Sequence, residues 1–227
     1  MLTVELHTHS AASYDGRDPV EFLLEQAAAV GLDALAVTDH DTFEASQRAA
    51  ELAPEFGLVG IPGMEVTSDA GHVLALGISE AIPAGLSFED TLDRIHEAGG
   101  IAVVPHPFQK SRSGVAPNIT AEHLASADAI EVYNSRLLTG RANRKAKAFA
   151  QRHDLPPIAG SDAHTSELVG QAVTAADAEA APADAIIDAI RAGRTTVEGR
   201  RTPWHISFRQ AAGGAKRRIK NRLSSFL

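Results

Sequence analysis

Apolar positions alternate along this chain between short strand-like runs and longer stretches with helical spacing. Residues 3–9 (Thr-Val-Glu-Leu-His-Thr-His) alternate as a strand, and Asp18-Pro19 supplies an N-cap and a first-turn proline for a helix over 19–30 that stops at Gly31. Asp33 to Thr38 reads as a buried parallel strand, 42–53 as a helix closed near Pro54, and Leu58 to Val66 as a third strand. Gly71 to Ile78 is predicted to pair with that strand across a hairpin at 68–71. Ser87-Phe88-Glu89-Asp90 starts a helix that runs to Ala98 and stops at Gly99-Gly100. Strands at 101–104, 129–133, 157–160, 172–174 and 195–198 then alternate with helices over 120–126, 139–152 and 182–192. This βα rhythm predicts an α/β fold with a parallel sheet, closed or nearly closed into a barrel.

Polar residues with metal-binding side chains recur where those strands end. They are His7 and His9, Asp15, His40, Glu65, His72, His106, Asp162 and His164. Ligands gathered from the ends of several strands are what a metal site at the mouth of an α/β barrel requires, so the pattern implies a metal-dependent hydrolase. His7-x-His9 puts both imidazoles on one face of a strand, and Asp162-x-His164 repeats that spacing. Glu65 has two carboxylate oxygens and is the candidate to bridge two ions, which a neutral histidine cannot do. Asp39 and Asp41 flank His40 and are placed to orient an imidazole from behind. Lys110, Arg112 and Arg136 follow the strands ending at His106 and Asn134, and are candidates to hold a substrate anion; solvated loop charge is the plainer reading. His96, His123 and His153 fall in helices and His205 in the final segment, where structural roles are expected.

Composition narrows the chemistry. The 227 residues suit one domain, with 44% hydrophobic and 22% charged residues. There is no cysteine, so any metal is held by nitrogen and oxygen. The N-terminus lacks a basic and apolar leader and no apolar run is long enough to span a bilayer, so a cytoplasmic protein without a membrane span is expected. The net charge of −8 is uneven: residues 1–208 carry 15 basic against 29 acidic side chains, while 209–227 carry six basic residues and no acid. That tail could form a basic amphipathic helix contacting nucleic acid, or dock on the acidic body.

In order, His-x-His, Thr-Asp-His-Asp, Gly-Met-Glu-Val, Pro-His-Pro and Ser-Asp-Ala-His resemble the motifs of the PHP (polymerase and histidinol phosphatase) family over nearly the whole chain to about residue 200. The resemblance implies a distorted seven-stranded (β/α) barrel in residues 1–208. It also implies two to three divalent ions, Mn, Fe or Zn, held at the C-terminal ends of the strands. His7, His9, Glu65 and Asp162 would hold one ion, Asp15, His40 and His164 a second, and Glu65, His72 and His106 a third. Glu131 and Asn134 would contact ligands or substrate, and Glu65, Asp162 and His164 form the expected catalytic set.

Three divalent ions against three carboxylates would leave about +3 in the cavity, which attracts phosphate. The expected reaction is hydrolysis of a phosphate ester of a small metabolite or nucleotide by metal-activated hydroxide. A nuclease acting on RNA or DNA ends is the alternative, and the acidic body argues for the smaller substrate. An amidohydrolase is disfavoured because those with two metals usually bridge them with a carboxylated lysine, and no lysine precedes Lys110. A non-catalytic role is disfavoured by the full ligand set.

Overall fold

Among the described residues of the computed structural model the strands are β1 (Leu2–Glu5), β2 (Ala34–Val37), β3 (Val59–Thr67), β4 (His72–Leu76), β5 (Ile101–Val104), β6 (Ala129–Asn134), β7 (Pro157–Gly160), β8 (Ala172–Ala176) and β9 (Thr195–Gly199). The structure describes residues 1–137, 140–178 and 182–200; His205 and the basic tail lie outside them. One sheet runs β7-β6-β5-β4-β3-β2-β1-β8-β9, so the first seven strands are neighbours in chain order and form the expected seven-stranded wall.

Two departures from a regular barrel position the site. β4 is antiparallel to both β3 and β5, because the tight hairpin pairing Thr67 with His72 leaves no length for a crossover. Reversal brings the first residue of β4, His72, to the rim where its parallel neighbours end. The second departure is the seam between β1 and β7. At the rim the chain beyond β1 pairs in parallel with the chain beyond β7, through Thr8 and Ala163 and the His9 N–H to Ala163 carbonyl bond of 2.8 Å. Lower down, the hairpin of β8 and β9 stands beside β1, and Thr174 Oγ1 joins β8 to the backbone of Ala159 on β7 at 2.9 and 3.1 Å. Side-chain bonds therefore finish a barrel that a backbone ladder leaves open.

Helices α1 (Val20–Ala29), α2 (Glu44–Leu52), α3 (Phe88–Glu97), α4 (Ala121–Leu124), α5 (Arg141–His153) and α6 (Ala183–Arg191) alternate with the strands. Ser87 caps α3 as expected, accepting the Asp90 N–H at 3.1 Å. Asp18 does not cap α1: its Oδ2 accepts the Ser166 N–H at 2.6 Å and ties the first loop to the segment after β7. One apolar cluster draws Val4, Ala36, Ile61, Leu74, Val103 and Ile158 from successive strands, and Ile186, Ile187 and Ile190 of α6 close it at the end opposite the rim. Among the described residues no helix is long and apolar enough to cross a membrane.

Candidate metal centre

Strand ends converge on Glu65. His7 and His9 continue past β1, outside its ladder, and both Nε2 atoms reach Glu65 Oε2, at 3.3 and 3.2 Å. His40, after β2, places Nδ1 3.4 Å from the same oxygen. Glu65 Oε1 has His72 Nδ1 at 2.7 Å and His106 Nε2 at 3.3 Å. His9 Nε2 is also 3.7 Å from Asp162 Oδ1, and Asp15 Oδ2 is 2.7 Å from His164 Nε2 and 3.8 Å from His40 Nε2. The structure thus brings all nine candidate ligands to one rim.

Ligand atoms lie within 4.8 Å of one another in four overlapping triads: His7, His9 and Glu65; His7, His106 and Asp162; His40, Glu65 and His72; and His9, His40 and His164. Asp15 sits beside the last. Asp162 and His164 lie beyond β7, not on it, and Asp162 takes a left-handed backbone (φ 52°), as does His106 (φ 31°). The φ values of both residues lie in a region that disfavours side chains, so the surrounding fold holds them there.

Nearly all of this is buried. His7, His9, Glu65, His106, Asp162 and His164 are inaccessible or nearly so, yet both ring nitrogens of His9, Nδ1 of His40, His72 and His106, and Oε1 of Glu65 have no hydrogen-bonding partner. The 2.7 Å approach of His72 to Glu65 therefore lacks hydrogen-bond geometry. Burial, with His164 and His40 alongside, lowers His9 to about 3 and keeps it neutral. Burial pushes the Glu65 carboxyl up, but the His40 and His7 imidazoles outweigh it and hold the group well below the usual carboxylate range. For Asp162 burial is likewise overcome, here by Arg136 and Arg112. His9 and His164, both lowered by burial, and the ionised Glu65 and Asp162 are in the protonation states that metal ligation needs. His7 and His40 are instead raised, burial being outweighed by Glu65 with Glu131 for His7 and with Asp15 for His40, so these two rings must give up a proton to bind an ion.

Of the expected cations, Arg112 Nη1 lies 3.1 Å from Asp162 Oδ2, and Arg136 Nη1 lies 3.0 Å from Asp162 Oδ1 and 2.7 Å from a His164 ring nitrogen. Lys110 is exposed on the turn before Arg112 and joins none of these contacts. The carboxylates behind the ligands divide differently than expected. Asp39 accepts the Ser10 N–H and hydroxyl at 2.6 and 2.5 Å, and Asp41 accepts the Thr67 N–H and hydroxyl at 2.7 and 2.8 Å. Both pin the loops that carry ligands, and neither orients an imidazole. Glu131 does that: Oε1 is 3.0 Å from His7 Nδ1, and Oε2 accepts the His106 N–H at 2.8 Å and the Asn134 amide at 3.0 Å.

Sequence reading missed Glu5 and Tyr14. Glu5 is fully buried at the seam, accepting the N–H groups of Ser161 at 3.0 Å and Gly170 at 3.2 Å, and burial raises its carboxyl to about 7. A carboxylate between the apolar Val4 and Leu6 was the available signal. The Tyr14 ring stacks on His40 with centroids 4.7 Å apart and is 64% exposed. The helical histidines are structural, as expected: His96 pairs with Asp128 and His123 with Glu89, both at 2.7 Å, and His153 stacks on Phe149.

The PHP domain model matches residues 5–139 and the PHP-associated model residues 140–195. The uncharacterized protein MJ1587 of Methanocaldococcus jannaschii is 32% identical over 155 residues, covering 64% of this chain and 89% of that protein. A phosphoribosyl 1,2-cyclic phosphate 1,2-diphosphodiesterase of Eggerthella lenta is 35% identical over 149 residues, covering 58% of this chain and 56% of the relative. The fold is similar to that of a two-domain protein from Bacteroides vulgatus containing a predicted PHP-like metal-dependent phosphoesterase, with a TM-score of 0.74 at 22% identity over 88% of this chain and 65% of that one. With its strand order, its rim of histidines and acids and both matching models, this chain belongs to the PHP domain family.

Proposed function

We propose that the protein hydrolyses a phosphate ester with two to three divalent ions held by His7, His9, Asp15, His40, Glu65, His72, His106, Asp162 and His164. One observation carries the reading: five imidazoles approach the single carboxylate of Glu65 within 2.7–3.4 Å. A carboxylate offers about four lone-pair sites, and the surplus ring nitrogens are buried without partners. Cations among these atoms satisfy both sides. Imidazole and carboxylate donors without sulfur suit Mn, Fe or Zn.

When bound, the ions supply a water made acidic enough to deliver hydroxide near neutral pH, and polarisation of the phosphoryl oxygens. The protein's own residues do the rest. Glu65 and Asp162 enter ionised and His9 neutral, so no proton need be displaced from these three. Glu131 holds His7 by Nδ1, leaving Nε2 to face Glu65. Arg112 and Arg136 reach the rim beside Asp162, where their guanidiniums bind phosphoryl oxygens and offset charge developing on the leaving group. The burial of the centre excludes bulk water and strengthens each of these interactions.

The test is a screen of metal-loaded protein against phosphomonoesters, 3′,5′-bisphosphorylated nucleotides and short RNA. Turnover of at least one of these that vanishes on chelation is the expected result. Metal-independent turnover, or none with any of them, sinks the reading.

A further inference from the structure

Charge along the chain is segregated. Residues 1–106 hold three basic against eighteen acidic side chains, whereas residues 107–153 hold eight basic against three acidic. Five of the eight (Arg141, Arg144, Lys145, Lys147 and Arg152) lie on α5, which carries no acid. All five are exposed, and among the described residues none forms an ion pair. Ala142, Ala146, Phe149 and Ala150 take the buried side. Helical geometry therefore sets Arg141, Lys145 and Arg152 on one outward stripe about 16 Å long, with Arg144 beside it. The overall acidity of the body does not describe this surface.

The helix begins beside the metal centre. Asn143, in the first turn of α5, clamps Asn134 by accepting its N–H at 3.3 Å and donating to its carbonyl at 3.1 Å. Asn134 Nδ2 in turn lies 3.4 Å from Asp162 Oδ2. A cavity of about 230 Å³ opens between helix and rim, lined by Asn134, Leu137, Gly140, Asn143, Arg144 and Lys147.

We propose that the basic face of α5 binds the phosphodiester backbone of a single-stranded nucleic acid and leads its reacting end to the metal centre; this rests on the phosphoesterase reading and narrows its substrate. A row of unpaired cations joined to a phosphoesterase site matches a polyanion whose own bonds are phosphate esters. A lipid surface would require large apolar groups beside the cations, and the other exposed residues of α5 are Ala148 and Gln151. A single strand fits because the candidate ligands are recessed, and the exposed Tyr14 ring at the mouth offers a face on which an unpaired base can stack.

The test is fluorescence anisotropy of the full-length, metal-loaded protein with a labelled phosphorothioate single strand of about 12 nucleotides, which resists cleavage. Five backbone contacts predict a slope of about −3.5 in log affinity against log salt, or about a hundredfold loss between about 50 and 200 mM. The triple variant Arg144→Ala, Lys145→Ala, Lys147→Ala should flatten that slope by about 2. The proposal is overturned if the triple variant binds with unchanged affinity and slope, or if neutralising Lys216, Arg217 and Arg218 alone removes all binding. Tighter binding of a duplex of equal length also overturns it. Hydrolysis of 4-nitrophenyl phosphate by the unaltered protein reports the metal centre separately, so failure of the interface and failure of the phosphoesterase reading give different results.

Discussion

Glu131 Oε1 lies 3.0 Å from His7 Nδ1, while the other oxygen of the same carboxylate accepts the His106 backbone N–H at 2.8 Å. One buried acid thus sets two candidate ligands from strands on opposite sides of β6. Glu131→Gln puts an amide N–H where one of two donors now points. Metal affinity should fall about 10–100-fold with the far-ultraviolet circular dichroism spectrum unchanged. Wild-type stoichiometry after dialysis against a weak chelator would show that the orientation of His7 is set elsewhere.

Glu65→Gln removes the charge that five imidazoles surround. Phosphatase activity should drop by more than about a hundredfold, beyond the cost of losing an outer partner, while the fold persists. Steady-state turnover within tenfold of wild type would remove Glu65 from the bridging role.

Gly160 ends β7 against the site. A β-carbon there would stand 2.5 Å from His7 Cβ and 2.6 Å from Glu131 Oε1. Gly160→Ala should therefore cost about 1–3 kcal/mol and lower the melting temperature by about 2–12 °C, with loss of bound metal. An unchanged melting curve and full metal content would mean the rim yields at no cost.

Arg136→Ala withdraws a guanidinium from the edge of Asp162 and His164. A charged hydrogen bond to a phosphoryl oxygen is worth about 1.5–3 kcal/mol, so kcat/KM for a phosphomonoester should fall roughly 10- to 100-fold, with lysine restoring part of it. Unaltered kcat/KM in the alanine variant would assign Arg136 to Asp162 alone.

Metal removal should be felt in stability as well as turnover. Buried nitrogens and a carboxylate oxygen without partners destabilise the metal-free state, and ions at about a hundred times their dissociation constant add about 2.7 kcal/mol, or roughly 5–11 °C in melting temperature. Metal analysis should return two to three equivalents per chain. Less than one equivalent, with no thermal shift on chelation, contradicts the ligand assignment.

Element order and the identity of the rim residues were legible in the chain because each is written locally. Alternation, helix caps and strand-end polar residues involve only a few consecutive positions, so His7, His40, Glu65 and His106 could be picked out one strand at a time. The division of labour among carboxylates was not legible. Asp39 and Asp41 sit beside His40 in sequence yet bind Ser10 and Thr67, whereas Glu131, more than a hundred residues from His7, orients it. Adjacency along a strand alternates faces, and partners come from neighbouring strands.

By itself the sequence determined that strands alternate with helices, that nitrogen and oxygen donors stand at successive strand ends, and that thiolates play no part. Only the tertiary structure decided that β4 runs backwards to bring His72 to the rim, that a seam closes over a buried Glu5, that five imidazoles share one carboxylate, and that the first turn of α5 is joined to Asp162 through Asn143 and Asn134. The reason is that periodicity and capping are short-range, while convergence depends on strand order and barrel closure, which no stretch of consecutive residues specifies.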